Sequence, residues 1–95
     1  MEQTIDLVTL TTQHGVLTDI ASKHCLTGAI TSMGLGFCPY LLVTWEAFNR
    51  AFAFNADDSI ELRVTETETC HYHVAQFTID GDIYDINASE PKEES

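Results

Sequence analysis

The sequence predicts a small single-domain α+β fold. An antiparallel three-stranded meander in the C-terminal half packs on one amphipathic helix over about 39–54, and a strand plus short helices precede them. Three observations predict this. Leu41, Trp45, Phe48 and Phe52 recur at helical spacing and form one apolar stripe. Residues 60–64 and 73–86 alternate apolar and polar with the period of a half-buried strand. Asp80-Gly81 is a two-residue hairpin signal, because both positions of the favoured turn need positive φ.

Taken in order, the N-terminal third is rich in threonine and β-branched residues, which favour strands. Residues 4–10 suit a strand ending near the turn-like Gln13-His14-Gly15. Beyond it, Thr18 or Asp19 could cap one short helix and Thr27 a second. Pro39 suits the first turn of the following helix, and Asn55, Asp57 and Asp58 end it. The meander begins with Ile60, Leu62 and Val64 alternating with Glu61 and Arg63.

A two-residue turn at Asp80-Gly81 sets Ile79 against Asp82, Phe77 against Tyr84 and Ala75 against Ile86. One face then holds His73, Ala75, Phe77, Ile79, Tyr84 and Ile86, and this is the expected core face. The other holds Tyr72, Val74, Gln76, Thr78, Ile83 and Asp85. A two- or four-residue loop around Glu66-Thr67-Glu68 places Ile60, Leu62 and Val64 on the core face, whereas a three-residue loop reverses them. Residues 1–87 are expected to form the domain, and the polar, acidic residues 88–95, with Pro91, a disordered tail.

At 95 residues there is room for one core. The three cysteines, Cys25, Cys38 and Cys70, form no C-x-x-C and cannot all pair. With no basic-apolar leader at the start, the expectation is reduced thiols in a cytosol. No apolar stretch is long enough to span a bilayer.

Fifteen acids against four Lys and Arg give a formal net charge of −11. That charge disfavours direct binding to nucleic acid or to an anionic membrane, both of which need a basic surface. It favours a basic protein or nucleoprotein complex as partner. The charge is also uneven: residues 1–56 carry a net −2 and residues 57–95 a net −9.

Chemistry-bearing patterns are sparse. His71 and His73, two apart on a strand, point the same way and sit roughly 6–7 Å from each other. Cys70 points to the opposite face, and no third zinc ligand stands at a compact spacing. Two strand histidines are therefore expected, with no metal and no cofactor. A less favoured alternative is a metal-binding regulator built on them. The pairs His24-Cys25 and Cys70-His71 lack the electropositive setting of a cysteine nucleophile. Asp80 and Asp82 lie on a solvated turn, with no apolar pocket to raise a carboxyl pKa. Gly34 and Gly36 lack the lysine of a phosphate loop. No enzyme is expected.

Residues 17–35 resemble a helix-turn-helix. Leu17, Ile20, Ala21, Leu26, Thr27 and Ile30 stand at its apolar or small positions, and Cys25 stands where that motif has a turn glycine. The resemblance implies a recognition helix near 27–33. That stretch has no basic residue, so a helix pair used for packing is preferred to a DNA reader.

The carboxylates of the C-terminal half remain. Asp57, Asp58, Glu61, Glu66, Glu68, Asp80, Asp82 and Asp85 fall on turns or exposed strand positions. Alternate strand residues repeat at about 6.5–6.8 Å, in the range of successive phosphates along a nucleic-acid strand. A solvated sheet face explains the same residues without a partner.

In size, charge and economy of motif the chain is similar to phage-encoded anti-CRISPR and anti-restriction inhibitors. That similarity implies a non-enzymatic protein of the host cytosol that occludes a basic, nucleic-acid-binding surface. The carboxylates named above would be its contacts, with Tyr72 as apolar anchor. The alternative from another class is a small homodimeric structural or assembly protein, pairing through an exposed edge of the meander.

Overall fold

The computed structural model describes residues 4–53 and 59–92. Its order is α1 (Leu7–Lys23), β1 (Ile30–Gly34), β2 (Tyr40–Val43), α2 (Trp45–Phe52), β3 (Ile60–Glu66), β4 (Cys70–Ile79) and β5 (Asp82–Pro91). The fold is α+β, with one mixed five-stranded sheet in the order β1-β2-β5-β4-β3. The meander β3-β4-β5 is antiparallel throughout, and an N-terminal hairpin, β1-β2, joins it by parallel pairing of β2 with β5. The meander is thus three-fifths of a larger sheet rather than the whole of one.

The β4–β5 register matches the parity argument: Ile79, Phe77 and Ala75 oppose Asp82, Tyr84 and Ile86. Asp80 and Gly81 have φ of 52° and 84°, as the tight turn requires. Glu66 pairs with His71 across a four-residue loop, so Ile60, Leu62 and Val64 share the core face. Ile60, Ala75, Phe77, Tyr84 and Ile86 are buried there, joined by Ala88, Leu41 and Val43. Leu17, Ile20 and Ala21 of α1, Leu26, and Ala47, Phe48 and Phe52 of α2 complete one core cluster on this face.

Four expectations are corrected. Residues 7–23 are one continuous helix, not a strand followed by short helices. Asp6 caps it, its Oδ1 accepting from the backbone N–H of Val8 (2.7 Å) and Thr9 (3.2 Å). The threonines that suggested a strand are accommodated by back-bonding: Thr11, Thr12 and Thr18 hydroxyls donate to the carbonyls of Leu7, Val8 and His14. Gln13 and Gly15 lie inside this helix, not at a turn.

Second, there is no helix-turn-helix, because residues 27–33 form a turn and most of β1. Cys25 does occupy a glycine-like position, at φ 59°, just past the end of α1. The N–H of Leu26 donates to Ala21 O (2.8 Å) and that of Cys25 to Ser22 O (3.4 Å). With Leu26 and Ala21 both buried, this is the paired C-terminal cap that glycine normally serves.

Third, the helix expected over 39–54 starts later. Residues 40–43 are strand β2, and Thr44 caps α2 by accepting from Ala47 N (3.4 Å). Leu41 lies four residues before Trp45, which fits a helix, but Leu41 and Val43 also alternate into the core with strand period.

Fourth, β5 runs to Pro91, so residues 88–91, expected in a disordered tail, are part of the sheet. Ala88 is fully buried opposite His73. Lys92 N–H donates to Thr69 O, and its Nζ reaches Glu66 Oε1 at 2.6 Å.

Cys25→Gly should stabilise the protein by about 0.5–1 kcal/mol, because only glycine adopts this φ without strain; urea unfolding midpoints measure it. Truncation after Asn87 should cost about 2–4 kcal/mol through the loss of Ala88 burial and of the strand end, where a disordered tail would cost nothing. Thermal unfolding decides between the two.

Candidate functional site

Both helices cover one face of the sheet, so the other is uncovered by any described element. It carries Tyr40, Leu42, Tyr72, Val74, Ile83 and Asp85. The aromatic ring of Tyr40 lies across Gly34 on the neighbouring strand, where a Cβ would collide with it. Tyr72 is exposed on this face, as expected of an accessible aromatic.

The carboxylates do not form one continuous row. Glu66 and Glu68 lie at the β3–β4 loop and Asp80 and Asp82 at the β4–β5 turn, the two ends of a ten-residue strand and so roughly 30 Å apart. Glu61 and Asp85 lie on the uncovered face; Glu66 and Asp82 have the parity of the helix face. Asp57 and Asp58 lie outside the described residues.

Several of these acids are occupied. Glu61 pairs with Arg63 at 3.1 Å. Glu66 pairs with Lys92, whose hydrogen bond and charge, helped by His71, hold that carboxyl below its ordinary range. Asp85 accepts a long hydrogen bond from Gln76 Nε2 (3.4 Å).

The hairpin end differs. Asp80 and Asp82 are exposed and make no ion pair with a described cation. Beside them opens a cleft of about 650 Å³ between the start of α1, the β1–β2 loop and the turn, lined by Asp6, Phe37, Pro39, Gly81, Asp82 and Ile83. Phe37 is 67% exposed and Ile83 51%, so two large apolar side chains stand in water next to the carboxylates.

The β1–β2 loop is fixed by a two-way clamp. Gln13 Nε2 donates to Gly36 O (2.7 Å), and Gly36 N–H donates to Gln13 Oε1 (2.8 Å). Gly36 has φ 122°, a conformation open to glycine and strained for other residues. The clamp sets the position of Phe37.

The field of the turn reaches inward. Tyr84, buried one strand position from Ile83, has its phenol pKa raised above the ordinary value near 10, first by burial and then by the charges of Asp82 and Asp80.

The histidine string is built into packing. His71 and His73 share a face with ring centroids 6.5 Å apart. His73 is half-buried, stacks on Trp45 at 4.3 Å and bonds Glu90 through Nε2 at 3.0 Å. Among the described residues no group of three or more His, Cys, Asp or Glu side chains is arranged to hold a metal ion. Cys70 lies on the opposite face, its thiol pKa lowered by hydrogen bonds with Ser89 and Thr67. His24 packs its ring between Phe52 and Phe77.

Sequence reasoning singled out the acids of the turn and missed Asp6, Phe37 and Ile83, which the fold brings beside them. Asp6 carried a readable signal as a capping residue ahead of an apolar run. Phe37 carried none. No protein-family model, curated protein or solved structure matches this chain.

The raised pKa of Tyr84 predicts a pH dependence. Its contribution to stability is full below the ordinary value near 10 and is lost as pH rises through the higher folded value. Between about pH 9 and pH 11, the wild type should therefore lose more stability than Tyr84→Phe, measured as urea midpoints at each pH.

Proposed function

We propose that this protein acts by binding rather than catalysis, and that it occludes the basic, nucleic-acid-binding surface of a partner protein or nucleoprotein complex. Its type is that of the phage anti-CRISPR or anti-restriction inhibitors. One observation carries the proposal: at the hairpin end, Asp80 and Asp82 make no ion pair among the described residues, and Asp6 and the exposed Phe37 and Ile83 stand beside them.

Such a surface suits a partner that presents lysine or arginine around an apolar contact. The exposed apolar side chains anchor the complex, and the carboxylates speed the encounter and select for basic partners. Asp80 and Asp82, alternate residues around the turn, take the place of neighbouring phosphates. Asp85, on the uncovered face with Tyr72, extends the contact along the sheet. Glu61 and Glu66 have local counter-ions and contribute less, and Glu68 belongs to the far end. Asp57 and Asp58 complete the proposed set.

We place the protein in the cytosol, host cytosol if it is viral. Its three cysteines are unpaired, as that compartment would keep them. Among the described residues no helix is long and apolar enough to cross a membrane.

The test is capture from lysate with untagged wild-type protein and with a variant carrying Asp80→Lys, Asp82→Lys and Asp85→Lys. The wild type should retain a basic nucleic-acid-binding protein at about 0.05 M salt and release it near 0.5 M, as screening shortens the reach of the charges. It should also displace DNA or RNA from that purified partner in a gel-shift assay. The triple variant should bind it at least about 100-fold more weakly. Capture unchanged by charge reversal, or a partner whose nucleic acid stays bound, would sink the proposal.

A further inference from the structure

β3 is an edge strand whose protection is limited to the side-chain charges of Glu61, Arg63 and Glu66. It is seven residues long, pairs with β4 without a register break, and contains no proline and no lysine. The opposite edge, β1, is shorter and its register shifts between Ile30 and Ser32. The N–H of Thr67 donates to Cys70 O (2.9 Å), which makes this a hydrogen-bonded pair of the β3–β4 ladder. Counting back in twos, the backbone groups of Thr65, Arg63 and Glu61 turn toward β4, and those of Val64, Leu62 and Ile60 turn outward.

The side chains are as open as the backbone edge. Leu62 is 44% and Val64 60% exposed, though both have the parity of the helix face. Phe48 and Phe52 of α2 lie against His73 and Phe77 of β4. A groove of about 160 Å³ remains between α2 and β3, with Leu62 and Val64 on one wall and Phe48 and Phe52 on the other.

The stretch 60–64 has a symmetry that bears on what covers this edge. It reads apolar, acid, apolar, base, apolar: Ile60, Glu61, Leu62, Arg63, Val64. It is electrically neutral in a chain of net charge −11.

We propose that β3 pairs with β3 of a second copy of this chain, antiparallel, about a two-fold axis through Leu62, joining the two sheets edge to edge. In that register Leu62 faces Leu62, Ile60 faces Val64, and each Glu61 faces the Arg63 of the other copy. The outward-turned residues meet as hydrogen-bonded pairs, giving about six intermolecular backbone bonds. Glu61 and Arg63 fall in the non-hydrogen-bonded pairs, where side chains approach most closely, with Cα atoms about 4.5 Å apart. Moving the two-fold by one residue sets Arg63 against Arg63 or Glu61 against Glu61, so the charges select the register as well as the partner. The facing apolar residues extend the two α2–β3 grooves into one trough across the axis. This pairing is independent of the acidic cleft and of its proposed partner.

One strand pair is a small interface, so the dissociation constant should lie at about 1–100 μM. Sedimentation equilibrium of the full chain at rising concentration should show twice the monomer mass. Glu61→Arg alone and Arg63→Glu alone, both at exposed positions, should each weaken self-association at least about 10-fold, since each sets like charges face to face. An equimolar mixture of the two variants should restore association as a complex with one copy of each, because opposite charges then meet across the axis. Circular dichroism checks that both variants keep the fold. A wild type that stays monomeric to about 100 μM, a single variant that associates as well as wild type, or a mixture that stays monomeric would each overturn the proposal.

Discussion

The structure depends on the burial of one strand. β5 is the middle strand of the sheet, paired antiparallel with β4 of the meander on one side and parallel with β2 of the N-terminal hairpin on the other. Tyr84, Ile86 and Ala88 point in turn into the core, each essentially without solvent contact. Ile86 meets Leu41 on one side and Ala75 on the other, so the same residue binds the two halves of the sheet together. A parallel neighbour requires a crossover connection, and α2 lies within it. The position of α2, the placement of α1 against it through His24 and Phe52, and the single covered face all follow from that central strand.

One-sided cover has electrostatic consequences. A two-layer domain of this size offers much surface, and three of the four Lys and Arg residues are paired with a nearby acid. Lys23 pairs with Asp19, Arg63 with Glu61, and Lys92 with Glu66. The hairpin turn receives none of these, although its carboxylates are close enough to act on the phenol of Tyr84. The charge asymmetry of the sequence thus becomes an asymmetry between the ends of one sheet, with a partly neutralised end at the β3–β4 loop and, at the β4–β5 turn, carboxylates with no ion pair among the described residues.

The parts of the fold that were legible in the sequence are those set by local rules. The Asp80-Gly81 turn and the alternation around it specify the β4–β5 register, and the stripe of Trp45, Phe48 and Phe52 specifies α2. The N-terminal third was illegible because threonine propensity is a weak force. A capped helix start and hydroxyls bonded back to the preceding turn override it. Ala88 and Ser89 resemble tail residues by composition, and only their place beside His73 and Tyr72 makes them strand. The candidate site divides in the same way. Its turn acids announce themselves locally, whereas Asp6 and Phe37 arrive from elements remote in sequence, held by the Gln13–Gly36 clamp.

That clamp ties the first half of α1 to the β1–β2 loop. All three buried residues of α1 lie in its C-terminal half, and Leu7 and Val8 at its start are largely in water. The first turns of the helix rest on the Asp6 cap and on two hydrogen bonds to one glycine. This is the profile of a local opening unit, whose amides exchange with solvent well before those of β5. The same turns form one wall of the acidic cleft. A ligand seated there would suppress the opening, and part of its binding free energy would go into ordering the wall.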